Sequence, residues 1–245
     1  MRLLITRTLF SCEQFAKRLR AFGHSVISSP MLEIKFLTCP QLDPQALQGL
    51  IITSAHSLMA LEHSRQIIPL FDVPVFAVGE ASGKLARSLG FTRVVAGASG
   101  ADELVEIITG HARREGGPLV HLCGNVRAVD VEALLKQRGF DVSSVVNYLS
   151  SPARALSLEA TEALSQEGLD LVVLMSPRTA KTYGTLVIKA GLDKQARQVN
   201  YACISKTTAR ALEVLDIPPG CLHTPARPQS SELLALINRL SSQSG

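Results

Sequence analysis

A short apolar run that stops at a hydroxyl residue and gives way at once to a helical pattern occurs twice in this chain. The first copy is Gly49–Ser57, which ends its apolar run at Thr53-Ser54, and the second is Leu169–Pro177. A helix that starts directly after a strand leaves its first backbone N–H groups without partners. A Ser or Thr at the turn caps one of these groups, and the others are free to bind an anion. The sequence therefore predicts strand–helix units whose turns face an acidic ligand.

The two copies belong to a tandem repeat. The offset between equivalent positions grows slowly along the chain, which indicates small loop insertions between equivalent units. The paired positions are Gly23 with Gly139 (from 23 to 139, 116 residues), Ser54 with Ser176 (from 54 to 176, 122 residues) and Gly79 with Ser205 (from 79 to 205, 126 residues). Strands that alternate with helices predict an α/β fold with parallel sheets flanked by helices, in which ligands bind beyond the carboxyl ends of the strands.

Local signals set the limits of several elements. Leu3-Leu4-Ile5 predicts the first strand, and capping-box spacing at Ser11–Gln14 predicts the start of the first helix. We expect residues 37–48 to form a loop or crossing segment, with a helical turn as an alternative around Pro44–Leu47. Ser99 predicts another helix cap.

Composition excludes several classes of protein. A length of 245 residues with 46% hydrophobic and 19% charged residues is typical of one or two globular domains. Aromatic residues make up only 4%, which argues against a base-stacking platform, and the net charge of +4 comes from scattered basic residues, so no nucleic-acid partner is expected. No apolar run approaches the roughly 20 residues of a membrane span. The five cysteines include no CxxC pair, which favours a reducing cytoplasm. Nothing in the sequence demands an oligomer, so we expect a monomer.

Motifs for nucleotides, nucleophiles and metals are missing from the sequence. Gly79–Lys84 has one residue too few between its glycines for a phosphate loop, and Gly97–Ala101 is an incomplete nucleophile elbow. The six histidines form no i, i+4 pair and no HExxH motif, which favours structural or surface roles over metal binding.

The candidate binding residues are the turns that follow predicted strands. A single cap of this kind is ordinary in an α/β protein, but repetition at equivalent strand ends favours an amide-rich surface for several carboxylates. The turns are Thr6/Arg7, Thr53/Ser54, Gly79/Ser82, Ser99, Asn125/Arg127, Ser176 and Thr207/Thr208. Tyr148 closes a predicted strand just before Ser150-Ser151-Pro152. It is either an ordinary amphipathic residue or a phenol placed to donate a proton.

Several segments together resemble the uroporphyrinogen-III synthase family over essentially the whole chain. They are Leu4–Arg7, Gly23–Val26, Pro30–Ile34, Ile51–Ala55, Val75–Ser82 and Ser205–Leu212. The resemblance implies two similar α/β domains, residues 1–36 plus 150–245 and residues 37–149. A two-stranded extended linker would join them, with a cleft between them.

The resemblance also implies an activity. Members of the family bind hydroxymethylbilane, expel its hydroxyl group and close the ring through a spiro intermediate with ring D inverted, without metal or cofactor. Hand-over of the substrate from the preceding pathway enzyme would fit this reaction. The resemblance assigns assistance in hydroxyl loss to Tyr148. It assigns substrate binding to Arg7, Thr53, Ser54, Gly79, Ser82, Arg127, Ser176, Arg178, Lys206, Thr207 and Thr208.

Two segments depart from the family pattern. Ser205-Lys206 stands where members commonly have Gly-Pro, and Cys123-Gly124-Asn125 stands where many have an Arg-Gly pair. One alternative stays open from the residues alone, a two-lobed small-molecule-binding or sensor protein without catalysis.

Overall fold

The computed structural model describes residues 1–98 and 100–243, and these form two compact units. The first unit combines Met1–Glu33 with the chain from Ser151 onward, and the second is Ile34–Ser150. Each unit has a β-sheet with helices packed against it, so the predicted α/β class is confirmed.

The first unit contains a five-stranded sheet in the order β11-β10-β9-β1-β2, in which all neighbouring pairs are parallel. Its strands are β1 (Arg2–Ile5), β2 (Ser25–Ser28), β9 (Leu171–Leu174), β10 (Asn200–Cys203) and β11 (Leu222–His223). Its helices are α1 (Leu9–Ala21), α6 (Leu158–Ser165), α7 (Pro177–Lys189), α8 (Asp193–Ala196), α9 (Lys206–Arg210) and α10 (Ser230–Gln243). Short 3-10 segments lie at Glu213–Leu215 and Pro219–Cys221.

The second unit contains a six-stranded sheet in the order β3-β8-β7-β4-β5-β6. The strands are β3 (Leu32–Phe36), β4 (Gly49–Ile52), β5 (Val75–Val78), β6 (Val94–Ala98), β7 (Leu119–Gly124) and β8 (Val142–Pro152). The helices are α2 (Ala55–His63), α3 (Gly79–Ser88), α4 (Ala101–His111) and α5 (Val131–Lys136), with a 3-10 segment at Ile68–Leu70. Neighbours among β4 to β8 are parallel.

The chain passes between the units twice, through β3 and β8, which are neighbours in the sheet. The Ala153 N–H donates to the Met31 carbonyl at 2.9 Å, and the Leu37 N–H donates to the Asn147 carbonyl at 2.9 Å. Partner numbers fall along β8 as they rise along β3, so the two strands are antiparallel. This pair is the two-stranded extended connection expected from the family resemblance.

Strand register confirms the tandem repeat. Leu3 lies opposite Leu171 in the first unit, and Leu119 lies opposite Gly49 in the second. Leu119 is 116 residues after Leu3, and Leu171 is 122 residues after Gly49, which are two of the offsets read from the sequence. The third offset, 126, holds for the pairs Leu174–Cys203 and Ile52–Ala77.

Each repeat contributes strands to both units. The first copy supplies β1 and β2 to one sheet and β4 to β6 to the other, and the second copy supplies β7 and β8, then β9 to β11. The equivalent sheet orders are β2-β1-β9-β10-β11 and β8-β7-β4-β5-β6, so the neighbouring pairs β1–β9 and β7–β4 each join strands from different copies.

The central strands are buried on both faces. In the first sheet Leu4 and Val172 pack toward α6 and α7, whereas Leu3 and Val173 pack toward α1 and α10. Continuous apolar runs are typical of parallel strands covered by helices on both sides. The second sheet likewise has a separate apolar cluster on each face.

One predicted helix start is wrong. The capping-box spacing at Ser11–Gln14 predicted a start at Ser11, but α1 begins at Leu9 with Thr8 in the N-cap position. Ser11 is therefore inside the helix. Residues 37–48 contain no strand or helix, as predicted. The predicted cap at Ser99 lies outside the described residues.

Candidate functional site

The predicted site residues lie at the carboxyl ends of the strands in both sheets. Because neighbouring strands are parallel, these ends share one edge of each sheet. In the first unit Arg7 follows β1, Ser176 and Arg178 follow β9, and Lys206, Thr207 and Thr208 follow β10. In the second unit Thr53 and Ser54 follow β4, Gly79 and Ser82 follow β5, Arg127 follows β7, and Tyr148 lies in β8. The structure therefore gathers six of these residues at one edge of each unit.

Ser54 and Ser176 cap helices, as the sequence predicts. The Ser54 Oγ accepts from the His56 backbone N–H at 3.3 Å. The Ser176 Oγ accepts from the Thr179 N–H at 3.1 Å. Each cap satisfies one N–H group at the start of its helix. The next N–H groups, those of Ser57 and Ala180, donate to the Ser54 and Ser176 carbonyls at 3.1 Å.

The cap of α9 is Ser205 rather than the predicted pair Thr207/Thr208. The Ser205 Oγ accepts from the Thr208 N–H at 3.2 Å, and the Thr208 side chain is buried. Thr207 is exposed. The capping interpretation of the two threonines was wrong because the first hydroxyl of the Ser-x-x-Thr spacing takes the cap position.

Four turns share a spacing that the sequence analysis did not use. Each has Ser or Gly at the turn and a buried hydroxyl residue three positions later. The pairs are Ser54/Ser57, Gly79/Ser82, Ser176/Thr179 and Ser205/Thr208. The Ser57 hydroxyl donates to the Leu122 carbonyl at 2.8 Å and so ties α2 to the end of β7. This i, i+3 hydroxyl pattern is the signal that could have found Ser57, Thr179 and Ser205.

Gly79 and Ser82 do not form a cap. Helix α3 begins at Gly79, which has φ of +73° and no atom within 4 Å of the place a Cβ would take. A positive φ favours glycine, so the sharp turn from β5 into α3 is a reason for glycine here. Ser82 lies in the first turns of α3 and is 7% exposed.

Two other predicted turns are not helix caps. Thr6 is buried, and its hydroxyl donates to the Val173 carbonyl at 2.8 Å. Asp130, not Asn125 or Arg127, caps α5 by accepting from the Ala133 N–H at 3.1 Å. The Asn125 Oδ1 instead accepts from the Ser150 N–H at 2.8 Å and fixes the end of β8.

A register shift sets the position of Tyr148. Cys123 lies opposite Val146, but the next residue, Gly124, lies opposite Tyr148, so Asn147 is skipped. A Cβ on Gly124 would lie 2.6 Å from the Tyr148 Cζ and 2.8 Å from its hydroxyl oxygen. Only glycine leaves room for the phenol here.

The Tyr148 ring also contacts the start of α2. The His56 ring centroid lies 5.4 Å from that of Tyr148, with 47° between the planes. The His56 Nδ1 and the Ser54 Oγ are 3.2 Å apart, which links the ring to the helix cap. Tyr148 is 8% exposed, so its ring is held between the end of β7 and α2.

Thr53 is connected to a buried histidine that the sequence analysis did not single out. Its Oγ1 lies 3.1 Å from the Nε2 of His121, which is 1% exposed in the middle of β7. The His121 Nδ1 lies 3.5 Å from the Ser144 Oγ, which accepts from the Arg127 Nη1 at 3.1 Å. Burial, helped by the Arg127 charge, lowers the pKa of His121 to about 4. The imidazole is therefore neutral at neutral pH. A lone histidine in an apolar strand gives no sequence signal for such a series of hydrogen-bonded side chains.

The charges at three of these strand ends suit an anion, whereas the first turn of α3 carries Glu80. The first turns of α2, α7 and α9 carry no acidic residue. Acidic side chains are favoured in first turns because they offset the helix dipole, so their absence leaves the amide ends of these helices unneutralised. Arg7, Arg127, Arg178 and Lys206 add positive charge at the same edges.

Two cavities in the described units lie elsewhere. One of about 340 Å³ is lined by Asn200 and His223, and one of about 530 Å³ by Phe76 and Arg93. Both lie toward the amino ends of the strands, and no predicted site residue lines them. Among the described residues, no three His, Cys, Asp or Glu side chains cluster as metal ligands would. None of the helices in the described ranges is long and apolar enough to cross a bilayer.

Comparisons with known proteins agree on one family. The model of the family described as uroporphyrinogen-III synthase HemD matches residues 13–235. A solved uroporphyrinogen-III synthetase from Helicobacter pylori is 18% identical, with a TM-score of 0.64, over 98% of this chain and 100% of that one. A mutant uroporphyrinogen III synthase from Thermus thermophilus is 16% identical, with a TM-score of 0.54, over 99% of both chains. At these identities the two structures show a shared fold, whereas the family model covers most of the sequence. The chain therefore belongs to the uroporphyrinogen-III synthase family.

Proposed function

We propose that this chain holds the carboxylates of hydroxymethylbilane at the carboxyl ends of the strands of both units. Its family consists of lyases that cyclise this linear tetrapyrrole to uroporphyrinogen III in tetrapyrrole biosynthesis, with loss of water and inversion of ring D. The family match carries the activity. The arrangement of the strand ends supports the binding mode, because it places capped helix starts and basic side chains along one edge of each sheet.

Two kinds of donor would hold the substrate. Backbone N–H groups beside the Ser54 cap and at the Gly79 turn would bind carboxylates through charge-assisted hydrogen bonds. Ser176 would contact a carboxylate through its side chain. Basic side chains would pair with further carboxylates. The residues in this proposal are Arg7, Thr53, Ser54, Gly79, Ser82, Arg127, Ser176, Arg178, Lys206, Thr207 and Thr208. Ser82 and Thr208 are buried, so they would act by fixing their turns rather than through exposed hydroxyls.

Tyr148 is the residue that we propose for loss of the hydroxyl group. Its phenol O–H would donate to the leaving oxygen, which departs as water once it has gained a proton. The contacts with Gly124 and His56 support this role because they fix the ring.

Orientation would supply much of the remaining catalysis. The same substrate closes without enzyme to the isomer in which ring D is not inverted, so the protein must favour one arrangement of a flexible chain. Many weak contacts spread over two sheets suit that task. We therefore expect no single side chain to be indispensable.

The test is the identity of the product. Purified protein is mixed with hydroxymethylbilane, and the product isomers are separated after oxidation to porphyrins. We expect the type III isomer to dominate at a rate proportional to protein concentration. A binding or sensor protein would leave the spontaneous isomer dominant, and that outcome would refute the proposed function.

We propose a monomer in the cytoplasm that receives its substrate from the preceding pathway enzyme, with domain limits of 1–36 plus 150–245 and 37–149. Spontaneous ring closure of free hydroxymethylbilane supports hand-over, because it penalises release of the substrate. The test compares hydroxymethylbilane that the preceding enzyme makes in the assay with the same concentration of hydroxymethylbilane added in free form. A difference in the ratio of product isomers would support hand-over, and equal ratios would contradict it.

A further inference from the structure

We propose that neutral His121, protonated at Nε2, holds the Thr53 hydroxyl as a hydrogen-bond donor toward a substrate carboxylate. His121 is then a positioning residue, because it acts on the substrate through Thr53. The inference rests on the proposed function, in which Thr53 contacts the substrate.

Four side chains form a hydrogen-bonded series, which we call the hydrogen-bond chain: Arg127, Ser144, His121 and Thr53. Arg127, at its charged end, sets the direction of donation. The guanidinium of Arg127 has only donors, so the Ser144 Oγ must accept at their 3.1 Å contact. The Ser144 proton is then free for another acceptor, and the His121 Nδ1 lies 3.5 Å away. When Nδ1 accepts, the single proton of a neutral imidazole is on Nε2.

The second half of the hydrogen-bond chain joins His121 to Thr53. With its proton on Nε2, His121 donates to the Thr53 Oγ1 at 3.1 Å. The Thr53 hydroxyl has one proton, and accepting from His121 leaves that proton to be donated outward. An ionised carboxylate can only accept hydrogen bonds, so a carboxylate bound at Thr53 favours the direction in which His121 donates to Thr53 and Thr53 donates to the carboxylate.

Acidic side chains near the hydrogen-bond chain offer another acceptor for the Ser144 proton. The negative charges of Glu132 and Asp130 tend to raise the pKa of His121, whereas burial and the Arg127 charge lower it. Hydrogen bonding from Lys136, and then from Ser144, lowers the pKa of Glu132. The Lys136 Nζ lies 2.6 Å from the Glu132 Oε1, so this carboxylate has a close partner of its own. Glu132 therefore competes with His121 for the Ser144 proton. Donation to His121 is the direction that we propose, because only then can Thr53 accept from Nε2 and also donate to a carboxylate.

The burial of His121 explains why a histidine is suited to this position. At 1% exposure a charged imidazole would be costly, and a neutral one serves as donor and acceptor at once. The equivalent position in the first unit, 116 residues earlier, is Ile5, which is also fully buried. Packing alone is thus satisfied by an aliphatic side chain at this point of the sheet.

The kinetic test uses four variants with steady-state assays and thermal unfolding. Thr53→Val removes the hydroxyl at nearly constant volume, and we expect KM to rise about tenfold or more because a charge-assisted hydrogen bond is lost. His121→Leu should raise KM about three- to tenfold with a smaller effect on kcat. His121→Gln, whose amide nitrogen can donate to Thr53, should restore KM to within about twofold of the parent. Ser144→Ala should raise KM, because without the Ser144 hydroxyl as a donor to Nδ1 the His121 ring no longer favours the tautomer with its proton on Nε2.

A double-mutant cycle separates positioning from packing. In a Thr53→Val background, His121→Leu should leave KM unchanged, because the hydroxyl that it orients is gone. The matched control is His24→Leu, which removes a buried histidine with a side-chain partner, Asn238, at 3.3 Å. It should lower the melting temperature without changing KM.

The outcomes distinguish the two proposals. If the parent protein produces the type III isomer but His121→Leu keeps its KM, or raises it equally in the Thr53→Val background, the positioning role is refuted and the function stands. If the parent leaves the spontaneous isomer dominant, the proposed function is refuted. Long-range ¹H–¹⁵N spectra of the free protein at pH 7 give a readout that needs no activity. A proton on His121 Nε2 supports the inference, and a proton on Nδ1 overturns it.

Discussion

At the scale of single residues, Gly124 and Tyr148 must be considered together. A Cβ on Gly124 would overlap the phenol, so the glycine determines whether the tyrosine ring can occupy its place. We expect Gly124→Ala to destabilise the protein by about 1–3 kcal/mol and to reduce kcat, because the ring must move. Urea unfolding and steady-state kinetics would measure both effects.

Gly110 provides the control for this substitution. It lies in α4 with no atom within 4 Å of the place that an added methyl group would take, so Gly110→Ala should stabilise by up to about 1 kcal/mol without altering kcat. Full activity of Gly124→Ala would show that the position of the ring is not critical.

Tyr148→Phe tests the phenol itself. The ring contacts with Gly124 and His56 remain in this variant, so stability should change little. We expect kcat to fall about tenfold or more, the largest loss among conservative changes in the site, because the proton donor is removed. A variant with the full rate would remove the catalytic assignment but leave the fold and the family unaffected.

His121 should make stability depend on pH. Its pKa is 6.5 in an ordinary environment and about 4 in the folded protein, so between these values the unfolded chain binds a proton that the folded chain does not. The contribution of His121 to the unfolding free energy is therefore constant well above pH 6.5 and decreases as pH falls toward 4, by about 3 kcal/mol at most. The measurement is urea unfolding at pH 7.5, 6 and 5 for the parent and His121→Gln. Parallel decreases in the two proteins would contradict a buried neutral imidazole.

At the scale of elements, the capped helix starts have a structural role and a proposed binding role that can be separated. Ser176 caps α7, and Ser157 caps α6 in the same unit by accepting from the Ala160 N–H at 3.2 Å. Ser176→Ala and Ser157→Ala should each cost about 1 kcal/mol of unfolding free energy. We expect KM to rise only in Ser176→Ala, because only that cap is in the proposed site. Equal KM values in both variants would exclude a role for the α7 start in substrate binding.

The elements also show where sequence patterns succeed. The apolar runs of β4 and β9 are bounded by Gly49 or Asp170 and by a capping serine, so both strands and their repeat offset could be predicted. Ser11 was mistaken for a cap because its spacing fits a capping box, and nothing local shows that the helix has already begun at Leu9. The contact of Tyr148 with Gly124 depends on a skipped residue in the β7–β8 register, and the link of Thr53 to His121 depends on pairing across strands. Neither can be obtained from a local pattern.

At the scale of the whole chain, the repeat in the sequence and the compact units divide the molecule differently. Each repeat supplies strands to both sheets, so a cut between the repeats separates β1 from β9 and β7 from β4. A cut at the unit limits separates none of these pairs. The apolar clusters of the second unit are formed by residues between Cys39 and Val145 alone, within Ile34–Ser150.

This difference predicts which fragments fold. A fragment of residues 34–150 keeps both apolar clusters of its sheet, so we expect cooperative urea unfolding that is two-state by circular dichroism. A fragment of residues 1–116, of nearly the same length, keeps β1 and β4 but lacks the strands β9 and β7 that pair with them, and should show no cooperative transition. Residues 1–33 joined to 151–245 by a short Gly/Ser linker should fold as the first unit does, because its clusters draw only on those segments. Cooperative folding of 1–116, together with failure of 34–150, would mean that the repeat rather than the compact unit is the folding unit.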